Sequence, residues 1–315
     1  MPVSWPAHVD EILDSDLTAA LGYVTPAGGA VVLAVAPIGL RDRERGMVGF
    51  TTSLGFAKKL ARIKREPRVA LAYHAREHGG CNRSEYVLVQ GRAEPIEKPT
   101  EEDRAMVRRL AEARLGSARS GVFWDRWLRE YYMVRIPVWV HVERMTVWPD
   151  LRCQGEPERY GLPEPAPPEP QRPPAKGTGP RVDVGRVAKR LAKTPYVLLG
   201  HVGSDGFPTV GPVEVHGSDA TGLELTAPPG VIPPGARRAG LLGHSYKPKL
   251  IGLTARQYTG WLEAGDDRAL YAPHTETGFV APPNKTLLLF FNGLQAKQGV
   301  RRARRAGGGR PAARI

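Results

Sequence analysis

The apolar positions of this chain fall into short runs whose spacing changes repeatedly between helical and extended. Val9, Ile12 and Leu13 make a short helical stripe. Residues 30–38 and 46–52 then read as strands joined by a hairpin through Arg41 to Arg45. A helix is predicted over 57–65, stopping near Pro67, followed by strands at 69–73 and 86–91. Residues 101–118 carry an amphipathic pattern with Met106, Leu110 and Ala113 or Leu115 on one side. Ile136, Val138, Val140 and Val142 alternate along a strand over 135–147. The longest apolar stretch, 28–40, is broken by Pro37 and falls far short of the roughly 20 residues that cross a bilayer.

A proline-dominated segment, EPERYGLPEPAPPEPQRPPAKGTGP, interrupts this pattern. Proline fixes the backbone and removes hydrogen-bond donors, so a linker is expected at 156–180 between a first domain, 1–155, and a second, 181–296. It would hold the domains apart or run as a strap along a surface. After it the order of elements repeats in outline, beginning with a helix at 184–191. Gly200-His201-Val202 stands for Gly22-Tyr23-Val24, Leu223 to Thr226 for Val48 to Thr51, Arg237-Arg238 for Lys58-Lys59, and Pro248-Lys249-Leu250 for Pro67-Arg68-Val69. Thr259-Gly260-Trp261-Leu262-Glu263 matches Gln90-Gly91-Arg92-Ala93-Glu94. A duplicated, mainly β chain is the expectation.

The bulk numbers change this picture little. Hydrophobic content of 41%, with 36 Gly and 30 Pro, fits short strands and many turns. Cys81 and Cys153 are far apart and supply no paired metal-ligand spacing, so both read as free thiols. Acidic residues at 10, 11, 14 and 16 occupy the place where a secretory signal needs a basic start, which predicts a cytoplasmic protein. The net charge of +13 suggests a polyanion partner, but seven of the basic residues lie in the tail 297–315, which reads as disordered. Nonspecific contact there is one reading; a dedicated nucleic-acid site is not expected.

The segment GMVGFTTSLGFAKKLARIKREPRVALAY concentrates the candidate chemistry. A strand ends in Thr51 and Thr52, a turn follows, and a helix opens with Lys58 and Lys59 and carries Arg62 one turn on. At helical spacing the three cations can share a face, and a helix N-terminus adds unpaired N–H groups, an arrangement suited to a phosphate. The alternative is an amphipathic helix with solvated lysines, and spacing alone does not choose between them.

The same segment resembles the phosphate-binding stretch of the pyridoxamine 5′-phosphate oxidase-like family: an aromatic-Thr strand end at Phe50-Thr51, a basic pair at Lys58-Lys59, and a Pro67-Arg68-Val69 strand start. The run Tyr86 to Glu94 resembles the family's next core strand. The resemblance implies two tandem split β-barrels, mainly β with flanking helices. It also implies FMN, or alternatively a deazaflavin coenzyme, at the interface of an intrachain pseudo-dimer that can itself pair as a homodimer. Thr51, Thr52, Lys58 and Lys59 would hold the phosphate, and second-half residues would close the ring pocket; Phe50, Arg62 and Trp261 are further cofactor-binding candidates. The stretch between Thr51 and Lys58 is longer than in the oxidase, and that enzyme's substrate-binding residues are not recognisable.

Arg237 and Arg238 form a second anion candidate, the alternative being that they pair with the linker or the other barrel. Trp261, Tyr271 and His274 can face a planar cofactor or serve as core and loop residues. His74, His78 and Cys81 are a poor metal set. The resulting functional expectation is a flavin- or deazaflavin-dependent oxidoreductase acting on a small molecule. The alternative is a noncatalytic haem- or flavin-binding protein, with His201, His244 or His274 as axial-ligand candidates.

Overall fold

A computed structural model describes residues 2–116, 135–265 and 268–281 of the chain. Helix α1 (Ala7–Ser15) buries Val9, Ile12 and Leu13, the stripe that its spacing dictates. There follow β1 (Ala19–Val24), β2 (Ala30–Val35), β3 (Arg41–Asp42), β4 (Met47–Ser53), α2 (Ala57–Arg65), β5 (Arg68–Tyr73), β6 (Tyr86–Pro95), α3 (Glu101–Leu115), β7 (Arg135–Trp148) and β8 (Glu158–Gly161). The strands form one antiparallel sheet in the order β2-β1-β5-β6-β7-β4-β3, with β8 on the free side of β7. The sheet curls on itself. Just beyond β2, the Ala36 carbonyl accepts from Thr51 N–H of β4 at 3.0 Å, which closes a barrel around Leu21, Val48, Phe50, Leu71, Val89 and Val140.

The bounds of α2 coincide with the helix read from the sequence, and β8 extends the first sheet into the stretch read as linker. Helix α3 is capped by a reciprocal Thr100–Asp103 pair. Its buried side differs from expectation: Val107 is the deepest residue, with Met106, Leu110 and Ala111 against Ile38 and Leu40, while Ala113 is exposed.

After the proline segment come α4 (Val184–Leu191), β9 (Tyr196–Val202), β10 (Pro208–Pro212), β11 (Glu214–Ser218), β12 (Leu223–Thr226), β13 (Gly235–Ser245), β14 (Thr254–Ala264) and β15 (Ala269–Val280). Their sheet order, β10-β9-β13-β14-β15-β12-β11, repeats the first strand for strand. Both sheets also carry a bulge at one equivalent place, Gln90/Gly91 in β6 and Thr259/Gly260 in β14. The chain is thus mainly β, two split barrels in tandem.

The ladders fix which residues correspond. Val69 lies opposite Gly91, and Ala239 opposite Gly260, so Arg68 corresponds to Arg238 and Pro67 to Arg237. This corrects the expected match of Arg237-Arg238 with Lys58-Lys59. The cause is a missing element: between β12 and β13 the second barrel has Pro228-Pro229-Gly230-Val231-Ile232-Pro233-Pro234 where the first has α2. Pro248-Lys249-Leu250, matched from sequence with Pro67-Arg68-Val69, is a short 3-10 turn between β13 and β14.

The barrels pack through β1, β2, β5 and β6 of one against β9, β10, β13 and β14 of the other. Small residues permit the approach: a Cβ on Gly22 would meet Val210, and one on Gly200 would meet Val32. Ala70, Ala72, Leu198, Val210 and Leu242 share the resulting core. Two buried side chains donate across it to backbone carbonyls, Tyr86 Oη to Val210 and Gln90 Nε2 to Pro208, each at 2.7 Å. Arg68 reaches the Asp205 carbonyl on the β9–β10 turn at 2.7 Å, and its counterpart Arg238 packs on Gly29 of the β1–β2 turn. Arg144 pairs with the Asp205 carboxylate at the same edge.

The proline segment is a strap along both barrels rather than a spacer between them. Gln171 donates from its side chain to the Gly28 carbonyl of the first barrel (2.9 Å) and from its backbone to Ala236 of the second (2.7 Å). Ser204 Oγ donates to the Ala166 carbonyl, and Arg181 N–H to Pro273. Among the described residues no helix is long and apolar enough to cross a membrane.

Candidate functional site

The cations of α2 are separated by the helix rather than pooled. Leu60 and Ile63 face the core, which turns Lys59 and Arg62 partly inward and leaves Lys58 in solvent. Lys59 is the unusual one. Among the described residues no carboxylate or other acceptor reaches its ammonium; its neighbour is the Phe56 ring, 4.8 Å from Nζ. Burial pushes the Lys59 ammonium down to about 7, and repulsion from the Arg135 guanidinium adds to it. A withdrawn ammonium in the field of another cation is costly, and an anion accepting from it would relieve that cost.

Arg135 opens β7 opposite Ser53 and donates to Thr51 Oγ1 through Nε (3.0 Å) and Nη2 (2.8 Å). Thr51, Ser53 and Arg135 therefore lie on one face of the sheet. The even pleat of β4 sends Thr52 to the opposite face with Phe50, and Thr52 Oγ1 is buried without a hydrogen-bond partner. Phe50 itself is fully buried in the barrel core. It sets the strand in place and is not a contact residue. One turn along α2, Arg62 lies against the Tyr23 hydroxyl, whose proton is held more tightly than usual because burial outweighs that cation.

The structure thus brings together Thr51, Lys59 and Arg135, with Arg62 and Tyr23 alongside. Arg135 and Tyr23 are absent from the site residues expected from the sequence. Tyr23 looks like any apolar strand residue, and Arg135 meets Thr51 only through a strand pairing across 84 residues.

The second-barrel candidates are committed elsewhere. Arg237 is almost fully buried and donates to the carbonyls of Pro168 and Pro234; Arg238 binds Gln171 Oε1 and the Arg172 carbonyl over the Trp261 ring. Both arginines clamp the strap. Trp261 is 1% exposed and donates to Glu263, and Tyr271 is fully buried, so both are core residues. The equivalents of Thr51-Thr52 are Thr226-Ala227, and Thr226 Oγ1 is 2.6 Å from His216 Nε2. No basic residue follows before Arg237.

The histidines are likewise engaged. His201 is buried with Nε2 3.2 Å from the Val231 carbonyl, and His274 Nε2 is 3.1 Å from the Thr178 carbonyl. His244 is buried against His74. No cluster of three His, Cys, Asp or Glu residues among the described residues has metal-binding geometry. Two open clefts of about 560 and 400 Å3 lie beside α4 and the Asp219 turn or β11, away from Lys59. The basic tail 297–315 lies outside the described residues.

No protein-family model and no curated protein matches the chain. Solved structures similar to it include a conserved hypothetical protein of Mycobacterium tuberculosis, 21% identical, covering 48% of this chain and 88% of that one, at a TM-score of 0.36. A pyridoxamine 5′-phosphate oxidase-related, FMN-binding protein of Nostoc punctiforme is 13% identical, covering 67% and 96%, at 0.34. A heme-binding protein of Mycobacterium smegmatis is 14% identical, covering 94% and 99%, at 0.32. At these values no residue role is transferred from them.

Proposed function

We propose that the chain is a flavin- or deazaflavin-binding oxidoreductase of the pyridoxamine 5′-phosphate oxidase-like type, with one cofactor site per chain at the start of α2. The observation that carries this reading is Lys59, a partly buried cation with no acceptor among the described residues, lying in the repulsive field of Arg135. A cofactor phosphate would give Lys59 an acceptor: Lys59 and Arg135 would hold it electrostatically, Thr51 would lie beside it on the same face of the sheet, and Arg62 and Lys58 would attract it from solvent. FMN is the first choice because its phosphate is a dianion. A bound flavin supplies hydride transfer, while the protein binds and orients it.

A single site follows from the second barrel, where the basic helix is replaced by prolines and both arginines are occupied by the strap. Titrating the full chain with FMN, a deazaflavin coenzyme and riboflavin, read by flavin fluorescence, tests the reading. We expect saturation at one FMN per chain and weaker riboflavin binding. Lys59→Ala should weaken FMN about 10- to 100-fold, the value of one charge-assisted hydrogen bond, and leave riboflavin unchanged. Equal affinity of the variant for FMN, or no binding of either coenzyme, would sink it. A Soret band on haem addition would redirect the assignment to haem.

A further inference from the structure

The β5 and β13 ladders make His74 and His244 equivalent residues of the two barrels, and the fold brings them face to face, Nε2 to Nε2, at 2.6 Å. Both rings are buried. Their tautomers follow from their partners. His74 Nδ1 is 3.0 Å from the Ala72 carbonyl, which only accepts, so Nδ1 carries the hydrogen and His74 Nε2 is a bare lone pair. His244 must then donate from its Nε2, which leaves its own Nδ1 bare, and that is a buried atom with no partner. With both rings neutral the pair makes one hydrogen bond across the seam at no cost in buried charge; a proton added to it brings a buried charge and a donor without an acceptor.

A second proton has nowhere to go. On His74 Nε2 it would point at the N–H of His244; on His244 Nδ1 it would be a buried donor without an acceptor. Among the described residues no carboxylate pairs with either ring. Tyr196 of β9 packs its edge on His74 and stacks on His244, and Tyr246, just past β13, stacks on His244. Arg76, beyond β5, adds like charge to His74. Asp16 is bound to Arg76 at 2.5 Å, and the field of Glu77 falls on Tyr196 and Tyr246. Burial accordingly holds both imidazoles below the ordinary histidine range.

We propose that the His74–His244 contact is a proton-operated lock between the barrels, closed while both rings are neutral and loosened by acid, which makes the seam the first part of the molecule to give way. It is independent of what binds near Lys59.

Hydrogen exchange of the intact chain between pH 7.5 and 5.0, corrected for intrinsic rates, tests it. Protection of β5, β9 and β13 at the seam should fall below about pH 6.5 by up to tenfold per pH unit for each proton taken up, while β7 keeps its protection. His244→Gln keeps a donor near the position of Nε2, cannot be protonated, and can turn its oxygen to a charged His74; it should flatten the fall. Asp16, pushed up to about 7 by burial, gains its proton in the same interval, and Asp16→Asn separates its share. Flat seam protection down to pH 5.0, an equal loss in β7, or an unchanged slope in His244→Gln would overturn the proposal. Should the variant not fold, nitrogen NMR of the wild-type histidines decides: Nδ1–H on His74 with Nε2–H on His244 is required at pH 7.5, and any other pairing refutes the lock.

Discussion

The two barrels share a strand order, a bulge and a way of gripping each other's first turn, yet differ in the connection where the candidate site lies. Between its fourth and fifth strands the first barrel builds a basic helix; the second builds a proline loop. Tyr23 of the first corresponds to His201 of the second, the former beside Arg62 and the latter beside the Val231 carbonyl. What the pair teaches is that the sheet topology and the cluster of cations at the candidate site reside in different residues. The first stands without the second.

The shared part should be the most sensitive to change. A Cβ on Gly91 would strike the His141 carbonyl, and one on Gly260 the Ala272 carbonyl, backbone atoms that cannot move aside. Gly91→Ala and Gly260→Ala should each destabilise by roughly 3 kcal/mol, at the upper end of what overpacking costs, measured by denaturant unfolding. Tolerance at either position would mean the two bulges are not equivalent constraints. The unshared part should separate cleanly: Lys59→Ala weakens FMN as stated, whereas Arg238→Ala leaves FMN affinity within twofold and increases proteolysis within the strap. If Arg238→Ala costs FMN affinity instead, the second barrel has a site after all.

Smaller again is the pH response of the second barrel's own histidine. Burial, with repulsion from Arg237, pushes His201 down to about 4, so the native protein resists a proton that the unfolded chain accepts near pH 6.5. Its contribution to stability is complete above that pH and falls by up to about 1.4 kcal/mol per pH unit as the pH drops from about 6.5 towards 4. His201→Gln should reduce this slope in equilibrium unfolding, and an unchanged slope would assign it to other groups. The smallest contrast is Thr51→Val against Thr226→Val. The first removes an acceptor of Arg135 and should cost about 1 kcal/mol; the second frees a half-exposed contact with His216 and should stay within about 0.5 kcal/mol.

Much of the fold was legible because strand alternation and helix spacing are local. The limits of α2 and α4 follow from the positions of Leu60, Ile63, Val184, Val187 and Leu191 alone. The correspondence of the halves was legible where a turn or bulge marks it, as at Gly91 and Gly260. It failed at Arg237-Arg238, where a missing helix shifts the alignment and only the strand register restores it. Of the site, Lys59 and Thr51 were visible as types in a suitable order. Arg135 was not, because nothing local distinguishes an arginine at a strand start. His74 read only as a member of a poor metal set, and its partner is 170 residues away.

The proline loop between β12 and β13 has a consequence for how such a chain can evolve. In a dimer of identical subunits every substitution is made twice, so a change that removes a ligand contact on one side removes it on the other. Here the strap joins two barrels in one gene product, and each can vary alone. One barrel can thereby do without the basic helix and serve to hold the other in shape, an asymmetry no pair of identical chains can inherit.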